Sequence, residues 1–255
     1  MKMFESKKII GENYFFIFLP NREVLAPLKI NLDTTLHDLK EIDNQKDIVL
    51  KNTINFVSDL PSTNILLWGA KGMGKSTLIK CVVKHLNNEL SRDLKLVEIL
   101  NNDIEKIVEV VYELSLLNHK FLIYIDDISF KNDDKDFRLF KSLVEGSLLS
   151  HSENIRYYIT SNLRHLSHDS NSNSLNDLQE KELSQNLISL SDRFGHWLGF
   201  YDINQEKYLS MVKYYLKKKS IKYTFEHEKK ALQWSLEKGN FSGRTANQFI
   251  KTLVI

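Results

Sequence analysis

The stretch "NILLWGAKGMGKSTLIK", residues 64–80, decides how the rest of the chain is interpreted. Its centre fits the pattern G-x-x-x-x-G-K-[ST], and three of the chain's nine glycines, Gly69, Gly72 and Gly74, lie within six residues. A short apolar strand is predicted before this loop and a helix after it, which is the context in which backbone N–H groups wrap phosphate. The alternative is a glycine-rich turn between a strand and a helix that binds nothing.

Two side chains of this loop have predicted roles in phosphate and metal binding. Lys75 would reach the β- and γ-phosphates of a nucleotide, and the hydroxyl of Ser76 would bind Mg²⁺. The expected ligand is therefore ATP with Mg²⁺. The expected binding residues are Gly69, Ala70, Lys71, Gly72, Met73, Gly74, Lys75, Ser76 and Thr77.

A pair of adjacent carboxylates ends a second apolar segment, "FLIYIDDISF" (121–130). Adjacent like charges at the end of a buried strand are costly unless a cation or a reaction uses them. In proteins with this phosphate loop, a strand that ends in Asp supplies the second Mg²⁺ contact, which we assign to Asp126. Asp127 is the candidate to orient or deprotonate an attacking water. Alternatively, Asp127 caps the turn or helix that follows.

An amide side chain follows another predicted strand, in "YYITSN" (157–162). Side chains at the carboxyl ends of strands in open α/β sheets face the crevice where ligands bind. Asn162 could hold the attacking water beside the γ-phosphate. A simple Asx turn is the alternative.

Two of the chain's seven arginines are candidates for phosphate contacts. Arg193 precedes the last predicted strand, in "SLSDRFG". Arg244 begins a helix in "SGRTANQF", where a cation opposes the helix dipole and an anionic partner such as a nucleotide phosphate would favour it. A surface salt bridge is the alternative for both arginines. His165 and His168 lack companions at metal-site spacing, which indicates a polar loop rather than a metal centre.

Strands and helices alternate through the middle of the chain, which predicts a parallel sheet covered on both faces. The predicted strands cover 64–69, 94–100, 121–126, 155–160 and 196–201. A predicted helix over 35–60 precedes the first strand, and the predicted helices between strands cover 75–86, 103–117 and 136–149. After Tyr201 the apolar spacing is helical only, over 204–219, 225–239 and 242–255.

This pattern divides the chain into a core of residues 34–201 and a small helical domain of residues 202–255. Residues 1–33 form an N-terminal arm in which "NYFFIFLP" and "EVLAPLKINL" could pair as a hairpin. The Ser- and Asn-rich stretch 168–186 is predicted to be a mobile loop.

The bulk composition restricts the class of protein. A chain of 255 residues with 42% hydrophobic and 27% charged residues is typical of a soluble globular protein. The net charge of +2 gives no argument for a nucleic-acid or membrane surface. One cysteine excludes an internal disulfide, and the charged start is unlike a signal peptide. Because no apolar run approaches the ~20 residues of a membrane span, we expect a cytoplasmic protein without a membrane partner.

These motifs, in this order, resemble those of the AAA+ ATPases. Five segments are similar to the bacterial family catalogued as domain of unknown function 815. They are "NILLWGAKGMGKSTLIK", "DDISF", "TSNLRHL", "SLSDRFGHWLGF" and "SGRTANQFI". The resemblance covers roughly residues 35–255 and leaves the arm outside it.

The resemblance implies an α/β fold of the three-layer P-loop NTPase class, with a five-stranded parallel sheet in the order 5-1-4-3-2. It also implies that the C-terminal helices form a lid over the nucleotide. By family role, Asn162 resembles the sensor-1 residue and Arg244 the sensor-2 residue. Arg193 resembles the arginine finger, which acts on the nucleotide of a neighbouring subunit and so implies a homo-oligomer. AAA+ proteins commonly carry Asp-Glu where this chain has Asp126 and Asp127, which bears on the speed of hydrolysis.

The leading hypothesis is an ATPase that hydrolyses ATP to ADP and phosphate and couples the movement of lid and subunits to an unknown partner. The second is a nucleotide-gated binding module, loader or adaptor with very slow hydrolysis. The third is a small-molecule kinase. A separate helical lid that bears Arg244 is evidence against it. Nucleic acid as a partner rests on "KKKSIK" (217–222), a kind of run that is more often a solvated helix end.

Overall fold

The computed structural model of the protein describes residues 7–128, 135–145, 149, 152–162 and 194–253. Within these ranges the strands are β1 (Phe15–Leu19), β2 (Val24–Pro27), β3 (Ile65–Gly69), β4 (Leu94–Glu98), β5 (Lys120–Ile125), β6 (Ile155–Thr160) and β7 (His196–Phe200). The α-helices are α1 (Lys7–Glu12), α2 (Asp43–Val57), α3 (Lys75–Asn88), α4 (Ile107–Ser115), α5 (Lys135–Glu145), α6 (Gln205–Lys218), α7 (Phe225–Lys238) and α8 (Gly243–Leu253). Short 3-10 helices occupy Pro20–Arg22, Leu36–Asp38 and Asn101–Lys106.

All seven strands form one sheet, in the order β2-β1-β4-β5-β6-β3-β7. Strands β3 to β7 are mutually parallel, and their order β7-β3-β6-β5-β4 is the predicted order 5-1-4-3-2. The predicted number of strands, five, is wrong. Strand β1 pairs in parallel with β4, and β2 pairs antiparallel with β1, so two strands from the N-terminal arm extend the sheet.

The sheet separates two hydrophobic cores, as expected for a three-layer fold. One core packs α2, α3 and the C-terminal helices α6–α8 against the sheet, and the other packs α4 and α5 against the opposite face. Successive residues of a strand alternate between these faces. In β5, for example, Leu122 and Tyr124 face α3, whereas Phe121, Ile123 and Ile125 face α4. This alternation determines which side chains reach the site at the strand ends.

The predicted helix over 35–60 is interrupted. It consists of the 3-10 helix Leu36–Asp38 and the α-helix Asp43–Val57, with Glu41 between them at a φ of 63°. A capping box causes the break, because the Asp38 carboxylate binds the backbone N–H of Thr35 and holds this turn apart from α2. The resulting segment, residues 32–42, is called the strap below.

The remaining predicted elements agree with the observed ones to within a few residues, except that the predicted helix over 103–117 starts with the 3-10 helix Asn101–Lys106. The loop predicted for residues 168–186 lies outside the described residues. In the part of the chain that the structure describes, no helix has both the length and the apolar character needed to cross a membrane.

Candidate functional site

The loop between β3 and α3 leaves no space for side chains at two glycines. Gly69 has a φ of 108°, and a Cβ atom there would lie 2.1 Å from the carbonyl oxygen of Phe200. The next backbone N–H, that of Ala70, donates to the same oxygen at 2.7 Å. At Gly72, with a φ of 83°, a Cβ atom would lie 2.8 Å from the hydroxyl of Ser242. The glycines therefore let the loop pass close to β7 on one side and to the C-terminal helices on the other.

The ammonium group of Lys75 lies at the centre of this loop. Lys75 is the first residue of α3 and is 5% exposed. It donates to the carbonyl oxygens of Gly69 at 2.7 Å and Ala70 at 2.8 Å, and to Oδ1 of Asn162 at 2.9 Å. Burial lowers the pKa of Lys75 to about 8, although the nearby carboxylates act in the opposite direction. The structure thus brings together two of the predicted site residues, Lys75 and Asn162.

A second contact joins the loop to the carboxylate pair. The hydroxyl of Ser76 donates to Oδ1 of Asp126 at 2.7 Å, and the hydroxyl of Thr160 donates to the same oxygen at 2.6 Å. Burial alone would raise the pKa of Asp126. The donors Ser76 and Thr160, with the nearby Tyr124 hydroxyl and Lys80 ammonium, outweigh burial and lower it. The carboxylate is therefore ionised in the pH range where a cation could bind it.

Asp127 adopts an unusual backbone conformation. Its φ is 54°, in the left-handed region, and its side chain is exposed to the pocket described below. Its N–H donates to the hydroxyl of Thr160 at 2.8 Å. The amide of Asn101 donates to the carbonyl oxygens of both Asp126 and Asp127 at 3.1 Å. The chain therefore turns sharply at Asp127 and is held there by Thr160 of β6 and by Asn101 in the segment after β4.

Thr160 and Asn101 are site residues that the sequence analysis missed. Thr160 is the last residue of β6 and, with Tyr158 and Asn162, belongs to the alternate positions that face α3. Asn101 follows β4, directly beside the carboxyl end of β5. Thr160 ends a strand and Asn101 lies in the segment just after one, so both could have been identified from the sequence once the strand order was assumed.

Between the loop and the C-terminal helices lies a cavity of about 440 Å³. Arg244 lies in the first turn of α8, its backbone N–H donates to the carbonyl oxygen of Gly72 at 3.0 Å, and its exposed side chain lines the cavity. The other lining residues come from the strap, the phosphate loop, the strand ends and helices α6 and α8. They are Thr34, Leu39, Lys40, Lys71, Gly72, Met73, Gly74, Lys75, Ser76, Thr77, Asp126, Asp127, Asn162, Met211, Tyr215, Gly243, Asn247, Gln248 and Lys251.

The groups in this cavity fit a magnesium nucleotide. The Ser76 hydroxyl and the Asp126 carboxylate are oxygen ligands, which Mg²⁺ prefers. Within the described ranges, no group of three or more His, Cys, Asp or Glu could hold a metal ion by itself. One hydroxyl and one carboxylate suffice where substrate phosphates and waters complete the shell of Mg²⁺. The donor set therefore fits a metal that arrives with phosphate.

Three other residues considered in the sequence, Arg193, His165 and His168, lie outside the described residues. The structure consequently gives no position for the predicted arginine finger. Of the predicted site residues that it describes, the loop residues 71–77, Asp126, Asp127, Asn162 and Arg244 line one cavity, whereas Gly69 and Ala70 do not.

Solved structures of three proteins share this fold. The replication initiator DnaA bound to AMPPCP and single-stranded DNA has a TM-score of 0.60 and 15% identity, and covers 89% of this chain and 66% of that chain. The Aeropyrum pernix Orc1 protein in complex with DNA has a TM-score of 0.55 and 14% identity. The match covers 81% of this chain and 57% of the Orc1 chain. A mutant of Thermotoga maritima RuvB has a TM-score of 0.51 and 15% identity. The match covers 84% of this chain and 62% of the RuvB chain. The chain thus has the predicted AAA+ fold and spans about three fifths of these proteins.

Sequence comparison identifies the family. No curated protein matches the chain. The family described as "Protein of unknown function (DUF815)" matches residues 12–255. The expectation that the arm lies outside the resemblance is therefore wrong, since the match includes the hairpin β1–β2 that extends the sheet. With nearly its whole length matched, the chain belongs to the DUF815 family.

Proposed function

We propose that the protein binds Mg·ATP in the cavity between the phosphate loop and the C-terminal helices, and hydrolyses it to ADP and phosphate. One observation carries this proposal. The buried ammonium of Lys75, which donates to Asn162, and the paired oxygens of Ser76 and Asp126 line the same cavity. Binding of a nucleoside triphosphate requires a cation for its phosphates and oxygen ligands for its metal, and Lys75 and the pair Ser76 and Asp126 place both in one cavity.

Each polar group has a proposed task. Lys75 exchanges its present acceptors for phosphate oxygens, and Ser76 and Asp126 would hold Mg²⁺, which would supply positive charge to the phosphates. Asp127 accepts a proton from the attacking water, and Asn162 holds that water in place. Arg244 adds positive charge from α8, so the C-terminal helices act as a lid that responds to the state of the nucleotide.

The cavity also offers room for the base and sugar. Leu39 of the strap, which lies against Gly74, and Met211 and Tyr215 of α6 also line it. An apolar and aromatic wall of this kind suits a purine ring. The AMPPCP bound in the DnaA structure supports a nucleotide as the ligand of this fold.

A second candidate function, a nucleotide-gated switch with slow hydrolysis, is favoured by Asp127. This side chain is one methylene shorter than Glu, and its backbone turns away from the strand at a φ of 54°. A short carboxylate on a sharp turn needs an additional water to reach the reacting phosphate. In that case ATP would control lid position and assembly more than it supplies turnover.

Arg193 is proposed to act on the nucleotide of a neighbouring copy. Its neighbour in the chain, Phe194, precedes β7, which runs parallel to β3. Gly69, where the phosphate loop begins, pairs with Phe200 at the opposite end of β7. The resemblance of Arg193 to the arginine finger favours action on a phosphate bound by another copy, and hence a homo-oligomer.

The test is nucleotide binding by the full chain, measured by isothermal titration calorimetry with ATP and ADP, with and without Mg²⁺. Lys75→Met should weaken ATP binding by at least about 100-fold, because the phosphates lose the charge at the centre of the loop. Lys229→Met is the matched control, since Lys229 is an exposed lysine of α7 that does not line the cavity. Absence of ATP and ADP binding by the folded wild-type protein would refute the proposed function.

A further inference from the structure

A second buried charge lies close to the cavity but does not line it. Asp38, in the strap, is 3% exposed. Its carboxylate accepts hydrogen bonds from the N–H of Thr35 at 2.7 Å and the hydroxyl of Thr35 at 2.9 Å. It also accepts from the hydroxyl of Tyr214 at 3.0 Å and from the ammonium of Lys218 at 2.5 Å. Two donors are therefore local, and two come from helix α6.

The backbone beside this carboxylate makes the same connection. The hydroxyl of Tyr215 donates to the carbonyl oxygen of Asp38 at 3.0 Å, and Tyr215 itself lines the cavity. The ammonium of Lys40 lies 3.9 Å from the ring centre of Tyr214. Strap and α6 are thus joined by several polar contacts on the side of the cavity formed by Leu39.

The other end of the strap is attached to α3. The ammonium of Lys84 donates to the carbonyl oxygen of Leu32 at 2.6 Å. The thiol of Cys81 donates to the carbonyl oxygen of Thr34 at 3.3 Å. The strap therefore connects the helix that begins with Lys75 to the C-terminal helices. On the phosphate side, among the described residues, the one backbone hydrogen bond between these helices and the loop runs from Arg244 to Gly72.

Besides the apolar packing, the polar contacts at the strap and at Gly72 differ in strength. Separating the strap from α6 is unfavourable, because a buried carboxylate would lose two of its four donors, including the ammonium of Lys218. A single backbone hydrogen bond beside a cavity is exchanged for water more easily. The strap contact is consequently expected to persist while the contact at Gly72 opens.

We propose that Asp38 is a positioning residue for nucleotide binding, which fixes helix α6 to the strap so that the C-terminal helices pivot there and open at Gly72. This inference rests on the proposed function, since the nucleotide is the ligand whose site it organises. Asp38 acts through Tyr215 and Leu39, which line the cavity, and does not touch the ligand.

The test measures geometry and affinity separately, beginning with Asp38→Asn in the full chain. Labels for distance measurement are attached through Asn88→Cys in α3 and Lys229→Cys in α7, both exposed, because the chain's one cysteine, Cys81, is buried. Without nucleotide, the distance distribution should broaden in Asp38→Asn. Binding of both ATP and ADP should weaken by about tenfold, while the turnover number at saturating ATP stays within about threefold, because only the binding-competent population falls.

Asp93→Asn is the matched control. Asp93 also accepts from a lysine ammonium, that of Lys95 at 2.6 Å, but it does not line the cavity and lies next to β4. This control should leave both the distance distribution and the nucleotide affinity unchanged. An equal change in Asp93→Asn would mean that general destabilisation explains the effect, and would overturn the proposal.

Lys218→Gln provides a second variant on the α6 side. Combined with Asp38→Asn, it should add less than its single effect on affinity, because both changes break one contact. An unchanged distance distribution in Asp38→Asn overturns the positioning role even if the protein binds ATP. A broadened distribution in a protein that binds neither ATP nor ADP upholds the pivot and refutes the nucleotide function instead.

Discussion

Asp127 occupies a backbone conformation that selects for a short polar side chain. A φ of 54° is disfavoured for most residues but is tolerated by Asp and Asn. Thr160 and Asn101 fix this turn by binding the N–H and carbonyl groups of Asp127. The geometry of the turn therefore gives a physical reason for Asp where AAA+ proteins commonly have Glu, and that reason is independent of catalysis.

Substitution of Asp127 separates its backbone role from its proposed chemical role. Asp127→Asn keeps the left-handed turn but removes the proton acceptor, so hydrolysis should fall by at least about 100-fold while ATP affinity stays within about threefold. Asp127→Glu should lower the free energy of unfolding by about 1 kcal/mol, because Glu is less suited to this φ. Phosphate release, ATP titration and urea unfolding measure the three quantities. Equal hydrolysis by wild type and Asp127→Asn would remove Asp127 from the mechanism.

Asp38 should make stability depend on pH in acid. Burial would raise the pKa of this carboxyl, but its bonds to Lys218, Thr35 and Tyr214 lower it from 3.8 to about 2. A carboxyl with a lowered folded pKa stabilises the fold above its unfolded pKa, and this contribution is lost as pH falls from about 4 to 2.

The difference in unfolding free energy between wild type and Asp38→Asn should therefore shrink by about 1–2 kcal/mol from pH 5 to pH 2. Urea titrations at several pH values measure it. A difference that is constant with pH would show that the charge of Asp38 is not what stabilises the strap. No sequence pattern pointed to this residue, because a lone Asp in a helical pattern is typical of an exposed position.

At the scale of elements, the hairpin β1–β2 protects an edge of the sheet. Strand β1 pairs with β4, which would otherwise expose its unpaired backbone groups, and Phe16 and Phe18 are buried in the core on the α4 face. The arm could be recognised as strand-forming from its alternating apolar residues. Its parallel pairing with β4 could not, because no local pattern in the sequence specifies a partner that is about 80 residues away.

Strand β4, with which this hairpin pairs, contains a buried lysine. Lys95 of β4 is 0% exposed, and its ammonium lies 2.6 Å from Oδ1 of Asp93 and 5.0 Å from the ring centre of Tyr14. Asp93→Asn should cost about 2–3 kcal/mol of unfolding free energy, because it leaves the buried cation without its counter-charge. Lys95→Met should cost less than about 1 kcal/mol, since it removes the charge and keeps the volume. Chemical unfolding of both variants checks this order, and the reverse order would contradict it.

For the whole molecule, most of the site residues that lie at or just after strand ends could be predicted from the sequence. Because parallel strands end at one edge of the sheet, Lys75, Asp126 and Asn162 were expected to meet there, and they line one cavity. The contacts between distant segments were not predictable. The bond between Asp38 and Lys218 joins residues 180 positions apart, and it depends on how the C-terminal helices pack on the core.

The last prediction concerns assembly. Arg193 precedes β7 in the sequence and is the proposed arginine finger for the nucleotide of a neighbouring copy. If Arg193 completes the site of a neighbouring copy, the ATPase rate per subunit should rise with protein concentration in the wild type. Arg193→Ala should bind ATP normally yet show a low rate at every concentration, because the charge supplied between copies is missing. Arg92→Ala, at an exposed arginine after α3, is the control. A rate per subunit that is independent of concentration and unaffected by Arg193→Ala would exclude action between copies and leave Lys75 and Arg244 as the cations of a self-contained site.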